Sequence, residues 1–131
     1  MLNEQQKQAY ATLLKRAQEA AKEAEDTILE TMHETIDKAS ELEEAFSELS
    51  KEELDKVKAA LKEDLNAVAR YFEEVGEGLD EILTMDAAWL EEKFFELSEK
   101  LADPTQLELL KLRMLAAMKA QDAQDDASEK D

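Results

Sequence analysis

Two Gly and one Pro in 131 residues leave this chain few places to turn. Glu, Ala, Leu and Lys dominate the remainder, and all four are strong helix formers, so a mostly helical backbone is expected. The same composition sets the surface: 34 Asp and Glu against 16 Lys and Arg give a formal net charge of −18. Apolar residues are 44% of the chain, enough for one domain core provided that they line one side of each helix.

An excess of negative charge repels phosphate backbones and anionic headgroups, so direct binding of DNA, RNA or a membrane surface is not expected, while a basic protein partner is compatible. No apolar run approaches the roughly 20 residues of a membrane-spanning helix. The start, Met1-Leu2-Asn3-Glu4-Gln5-Gln6-Lys7, is polar from its third residue and lacks the apolar segment of a secretory signal, which points to a cytoplasmic location. With no Cys, thiolate metal sites, disulfides and cysteine nucleophiles drop out, in keeping with a reducing compartment.

From Asn3 to Ser50 there is neither Gly nor Pro, and apolar residues recur at Tyr10, Leu14, Ala17, Ala21, Ala24 and Ile28 in alternating steps of four and three. That spacing is a heptad seam, and it continues through Met32, Ile36, Ala39, Leu42, Phe46 and Leu49. Successive four-residue steps across 28, 32 and 36 resemble a stutter that unwinds a supercoil, and Ser40 with Glu43 could cap a new helix. Residues 3–49 therefore read as one long rod or two pieces. Ser50-Lys51-Glu52-Glu53 has the reciprocal capping pattern and starts a helix with the stripe Leu54, Val57, Leu61, Leu65, Val68, Phe72 and Val75, ending near Gly76.

Beyond Gly78 the pattern resumes at Leu79, Ile82, Leu83, Leu90, Phe94, Leu97 and Leu101, with an interruption expected at Thr84-Met85-Asp86. Asp103-Pro104 opens a last helix running to about Ala120. It carries Leu107, Leu109, Leu110, Leu112, Met114, Leu115 and Met118, too many for one narrow stripe, so two of its faces call for burial. Residues 121–131 lack any large apolar side chain and are expected to be a disordered acidic tail, leaving residues 1–120 as the bundle domain. Charge is uneven: residues 1–50 hold 5 basic and 12 acidic side chains and residues 77–103 hold 2 and 9, whereas residues 51–76 hold 5 and 7.

Chemistry-bearing patterns are sparse. Glu30 and His33 have the Glu-x-x-His spacing of di-iron bundles, but such sites need a second pair, and His33 is the only His. A solvent-facing or salt-bridged His33 is expected. Neighbouring carboxylates such as Glu43 with Glu44, Glu73 with Glu74 and Glu91 with Glu92 lack the signature of a shared pocket, and no phosphate-cradling Gly loop or Ca-binding loop is present. No enzyme activity, metal or cofactor is expected. The densest aromatic patch, Trp89-Leu90 with Phe94-Phe95, is expected to pack within the bundle, with Trp89 or Phe95 partly exposed because they flank the Leu90–Phe94 stripe.

Two stretches, Leu61-Lys62-Glu63-Asp64-Leu65-Asn66-Ala67-Val68-Ala69-Arg70-Tyr71-Phe72-Glu73-Glu74 and Leu101-Ala102-Asp103-Pro104-Thr105-Gln106-Leu107-Glu108, resemble in order and spacing the helical part of the YbeL-like bacterial zinc-ribbon-containing proteins, a family of undetermined function. The resemblance extends from about Glu30 to Leu112. It implies a bacterial, cytoplasmic, helical module without known catalysis. The family's Cys-bearing ribbon has no counterpart in this chain, so no zinc ligand carries over to any residue.

The expected fold is all-α: an antiparallel helical bundle or coiled-coil hairpin in which a long N-terminal helix packs on the Ser50–Val75 helix. At about 1.5 Å per residue, a first helix of some 45 residues would outreach a second of about 25 by roughly 30 Å. The overhang, with its seam of Ala17, Ala21 and Ala24, would be covered by a second copy, making a homodimer. The expected function is a non-enzymatic, acidic protein-interaction module, its candidate surface comprising that seam together with Trp89, Phe95, Leu109, Leu112 and Met118. The alternative is an acidic effector that imitates DNA charge and inhibits a basic nucleic-acid-binding protein.

Overall fold

Most helices begin where a side chain can satisfy their first free N–H groups. The Asn3 side chain accepts from Gln6 N at 2.8 Å while the Gln6 side chain accepts from Asn3 N at 3.0 Å, opening α1 (Glu4–Ala21). Ser50 and Glu53 exchange the same pair of bonds, both at 3.1 Å, to open α3 (Lys51–Glu74). Asp86 accepts from Trp89 N at 2.8 Å ahead of α4 (Ala87–Lys100), and Asp103 accepts from Thr105 N at 3.1 Å ahead of α5 (Thr105–Glu129). Between α1 and α3 lie α2 (Ile28–Lys38) and a 3-10 turn, Glu44–Phe46; a second 3-10 turn, Leu79–Thr84, separates α3 from α4.

The end of α3 is set by Gly76. Its φ of 77° is the left-handed conformation, which lets Gly76 N donate to Glu73 O at 3.1 Å and Glu77 N donate to Phe72 O at 2.8 Å. Those two bonds satisfy carbonyls that the end of the helix would otherwise leave free.

This computed structural model describes residues 2–24 and 26–129, and for residues 121–129 the backbone alone. Among the described residues every regular element is helical, and the fold is an all-α bundle. α1 lies at its centre, packed on α2, α3 and α5 and touched by the Leu79–Thr84 turn, while α4 packs on α5. One continuous core results, formed by Tyr10, Leu13, Leu14 and Ala17 of α1, Met32 and Ile36 of α2, Leu61, Leu65 and Phe72 of α3, Leu90 and Phe94 of α4, and Leu107, Leu110 and Met114 of α5.

The long N-terminal helix is two helices. The chain leaves the helix after Ala21 and re-enters it at Ile28, earlier than the step across 28–36 suggested. Glu19 and Glu23 set negative charge at the end of α1, which has no basic residue in its last turn, an unfavourable match to the helix dipole. The heptad runs on because α2 turns its own stripe, Ile28, Met32 and Ile36, into the same core. The overhang therefore does not exist: Ala17 and Ala21 are fully buried within one chain, and only Ala24 of the small-residue seam is partly exposed. Ser40 and Glu43 do cap, but the segment they open is a turn and the short 3-10 piece rather than a helix. Of the tail expected at residues 121–131, the backbone continues α5 as far as Glu129, while its side chains and residues 130–131 lie outside the described residues.

A charged group sits inside this core. Asp64 is only 4% exposed in the middle of the apolar stripe of α3. Its Oδ2 accepts from the Tyr10 hydroxyl of α1 at 2.7 Å, and its Oδ1 accepts from Arg113 Nη2 of α5 at 2.9 Å. One carboxylate thus ties three helices together. Burial, reinforced by the adjacent Asp64 charge, holds the Tyr10 phenol well above its ordinary value of 10.0, and the bond to Asp64 raises Arg113. A second polar tie comes from Gln18, 8% exposed, whose Nε2 donates to Ile82 O at 2.9 Å and to Met85 O at 3.0 Å, holding the second 3-10 turn against α1.

Removing the hydroxyl in Tyr10→Phe takes away a buried bond to a charged acceptor and is expected to lower stability by about 1.5–3 kcal/mol, read as a lower urea midpoint at unchanged slope. A raised pKa in the folded state means that the unfolded chain releases its proton first, so Tyr10 contributes stability below pH 10.0 that is lost as pH rises through its folded value. Wild-type stability should accordingly fall on the alkaline side, and Tyr10→Phe should fall less steeply over the same range. An equal slope in both proteins would show that Tyr10 is not buried against a carboxylate.

Candidate interaction surface

The α4–α5 hairpin has a well-anchored inner side and an uncovered outer one. On the inner side Leu90, Phe94 and Leu97 are buried, and the half-buried Trp89 ring meets Phe72 at a centroid distance of 6.0 Å and an angle of 56°. Lys93 fastens the arrangement. Its ammonium lies 2.5 Å from Glu77, 3.0 Å from Glu81 and 3.7 Å from Glu96, and 5.8 Å from the centroid of the Phe72 ring. Burial works against that charge, but the bonds to Glu77 and Glu81 outweigh it and hold the Lys93 pKa above its ordinary 10.5. The same contact with Lys93 lowers Glu77 from 4.5. α4 is thereby fixed to the end of α3 and to the Leu79–Thr84 turn, which sets the direction of its outer face.

That outer face carries Phe95, 62% exposed. On α5 the two apolar faces read from the sequence have different fates. Leu107, Leu110, Met114, Leu115, Ala117 and Met118 are buried, whereas Leu109 and Leu112, three residues apart and so on one helical face, are 47% and 62% exposed. Ala116, one turn further, is exposed as well. Met118 therefore belongs to the core and Leu109 and Leu112 to the surface. Glu91, Glu92, Phe95, Glu96 and Lys111 line a shallow, open depression of about 500 Å³ between the two helices.

The charges around it are mostly negative. Lys111 faces Glu108 at 4.0 Å and Lys119 faces Glu91 at 3.8 Å, so both nearby cations are shared with carboxylates, while Glu92 has no ion pair among the described residues. A smaller cleft of about 220 Å³ lies elsewhere, lined by Leu14, Lys15, Gln18, Met85, Asp86 and Met118 among others. Of its polar lining, Gln18 holds two carbonyls, Asp86 caps α4 and Thr84 donates to Glu81 O, while Lys15 is exposed.

The remaining sequence candidates lie away from the hairpin. Ala24 is partly exposed in the connection after α1. His33 is half-buried rather than solvent-facing, its Nε2 enclosed without a hydrogen-bond partner, and no ion pair forms there among the described residues. Among the described residues no three His, Cys, Asp or Glu side chains are grouped so as to hold a metal ion, and no helix is long and apolar enough to cross a membrane. Leu42, 88% exposed, stands apart in the turn before Glu44–Phe46.

Sequence reading missed the Tyr10–Asp64–Arg113 cluster and the Lys93 hub. One signal was available for the first: Asp64 falls between Leu61, Leu65 and Val68 on a stripe that is otherwise apolar, the place where a charge is expected to have a buried partner. For Lys93 there was none, because Glu77 and Glu81 lie outside α4 and reach it only once the Leu79–Thr84 turn folds α4 back toward them.

No curated protein and no solved structure matches this chain. A family model described as a zinc-ribbon containing domain does match, over residues 4–127. Because that match takes in all five helices almost completely, the chain belongs to the zinc-ribbon containing domain family.

Proposed function

We propose that this protein is a non-enzymatic protein-interaction module whose docking surface is the outer side of the α4–α5 hairpin. The observation that carries the reading is the exposure of Phe95, Leu109 and Leu112 on a bundle whose other large apolar side chains among the described residues, Leu42 apart, are buried or partly buried. Exposed aromatic and aliphatic anchors of this kind dominate protein interfaces. The ionisable groups with displaced pKa values support the same reading: Tyr10, Glu43, Glu53, Glu77, Lys93, Asp103 and Arg113 are all bonded to neighbours in the fold, and none lines either depression.

The family's zinc does not fit the residues present. A ribbon holds its metal through Cys thiolates, and this chain has none and a single His. We therefore read these residues as the helical part of a YbeL-like protein, with no zinc ligand among them and a docking role that the helices themselves carry. The family relationship supplies the fold and leaves the activity to be argued from the surface.

A second reading is the acidic effector that imitates DNA charge. In its favour, eight of the sixteen basic side chains are drawn into ion pairs among the described residues, so the net charge of −18 is carried largely by carboxylates outside those pairs. Lys15 and Lys38 interrupt the acidic surface of the first two helices, which favours the interaction module.

A benzophenone photocrosslinker placed in turn at Phe95, Leu112 and Lys56, the last an exposed control on α3, tests the choice in extract of the source cells. The module predicts a defined adduct from Phe95 and Leu112 and none from Lys56, surviving about 300 mM NaCl. Charge mimicry predicts adducts of basic nucleic-acid-binding proteins from all three positions, lost at that salt. Phe95→Ser and Leu112→Ser should leave the thermal midpoint nearly unchanged, as exposed sites permit, while abolishing the adduct formed from the other position.

A further inference from the structure

We infer that the occupant of the α4–α5 surface is an amphipathic helix bearing Lys or Arg beside its apolar stripe, rather than a second copy of this chain. The inference rests on the interaction reading above and names the chemistry of the partner.

Two antiparallel helices joined by a short connection leave a groove along their seam, and a third helix fills such a groove with residues spaced three and four apart. Here α4 presents Phe95 in the depression that α5 lines with Lys111, and α5 presents Leu109 and Leu112 on one exposed face, so each helix of the hairpin offers an apolar anchor to a docked helix. The rim selects the partner. Glu91, Glu92 and Glu96 stand around Phe95, Glu108 precedes Leu109, and the cations there, Lys111, Lys119 and the half-exposed Arg113 after Leu112, are paired with Glu108, Glu91 and Asp64. A second copy would press this rim against itself, with a net charge of −18 on each side. A helix with basic residues flanking its apolar stripe meets the anchors and the rim together, and its cations find a ready partner in Glu92. A purely apolar helix would leave those carboxylates desolvated without partners, which charge complementarity at an interface avoids.

The test uses the full chain and a synthetic peptide of about 18 residues with Leu at helical spacing on one face and Lys on the other, labelled for fluorescence anisotropy. Three comparisons accompany it: the same peptide with Glu in place of Lys, a scrambled Lys/Leu peptide of equal charge that cannot form an apolar face, and sedimentation of the protein alone. The expected result is binding of the Lys peptide that weakens at least about tenfold in Phe95→Ser and in Leu112→Ser, with no binding of the Glu peptide and much weaker binding of the scrambled one. Glu92→Lys should weaken the Lys peptide and leave the helical circular dichroism of the protein intact.

Equal binding of the scrambled peptide, or binding untouched by Phe95→Ser and Leu112→Ser, would overturn the inference, because charge alone would then explain the capture. A dimer in sedimentation that Phe95→Ser dissociates would overturn it in favour of self-association. If crosslinking at Phe95 traps a partner through a segment without Lys or Arg, this inference fails while the interaction reading stands. If Phe95 and Leu112 trap nothing and bind no peptide, both fail.

Discussion

Asp64 is the joint of this molecule. A carboxylate inside an apolar stripe is strongly unfavourable unless its oxygens are bonded, and here each oxygen is held by a different helix: Tyr10 from α1 and Arg113 from α5. The demand that Asp64 be satisfied therefore fixes how α1 and α5 sit on α3, something that interchangeable Leu and Ala contacts specify less sharply. Arg113 bears a second consequence. Its outer portion is more than half exposed, and it lies on α5 directly after Leu112, so the residue that anchors α5 to the core also sets which side of that helix faces outward.

From that anchor the hairpin surface is determined step by step. α5 positions α4 by packing, the Lys93 ammonium secures α4 against Glu77 and Glu81, and Gln18 holds the intervening turn on α1. Phe95, Leu109 and Leu112 are left over once each of these constraints is met. They are exposed because the inner faces of both helices are already filled by Leu90, Phe94, Leu107, Leu110 and Met114. The carboxylates around the exposed three, Glu91, Glu92, Glu96 and Glu108, outnumber the nearby cations, and Lys111, Arg113 and Lys119 are each paired with a carboxylate.

The features that could be read in advance were those that depend on near neighbours. The caps at Ser50, Asp86 and Asp103 and the stop at Gly76 are encoded within four residues, and each was legible. The surplus of Leu on α5 called for two buried faces, but the one with Leu109 and Leu112 is exposed, and Met118, assigned to the surface, is buried. The break at residues 22–27 escaped because an unbroken heptad describes a face and not the continuity of a rod: two short helices that share one core repeat as faithfully as one long one. Asp64 escaped for a different reason. Its partners stand 54 and 49 positions away, so nothing local separates it from the many carboxylates that face water. The overhang, and with it the argument for a homodimer, rested entirely on the unbroken rod.

Native-state hydrogen exchange across the whole chain tests most directly whether Asp64 is the joint. If one buried carboxylate couples three helices, amides at Leu13 in α1, Leu65 in α3 and Met114 in α5 should open together, with a single exchange free energy and the same denaturant dependence. Exchange at Met114 with clearly lower free energy than at Leu13 and Leu65 would contradict the account, because α5 would then come away while α1 and α3 remained paired, and the surface it presents would not depend on Asp64.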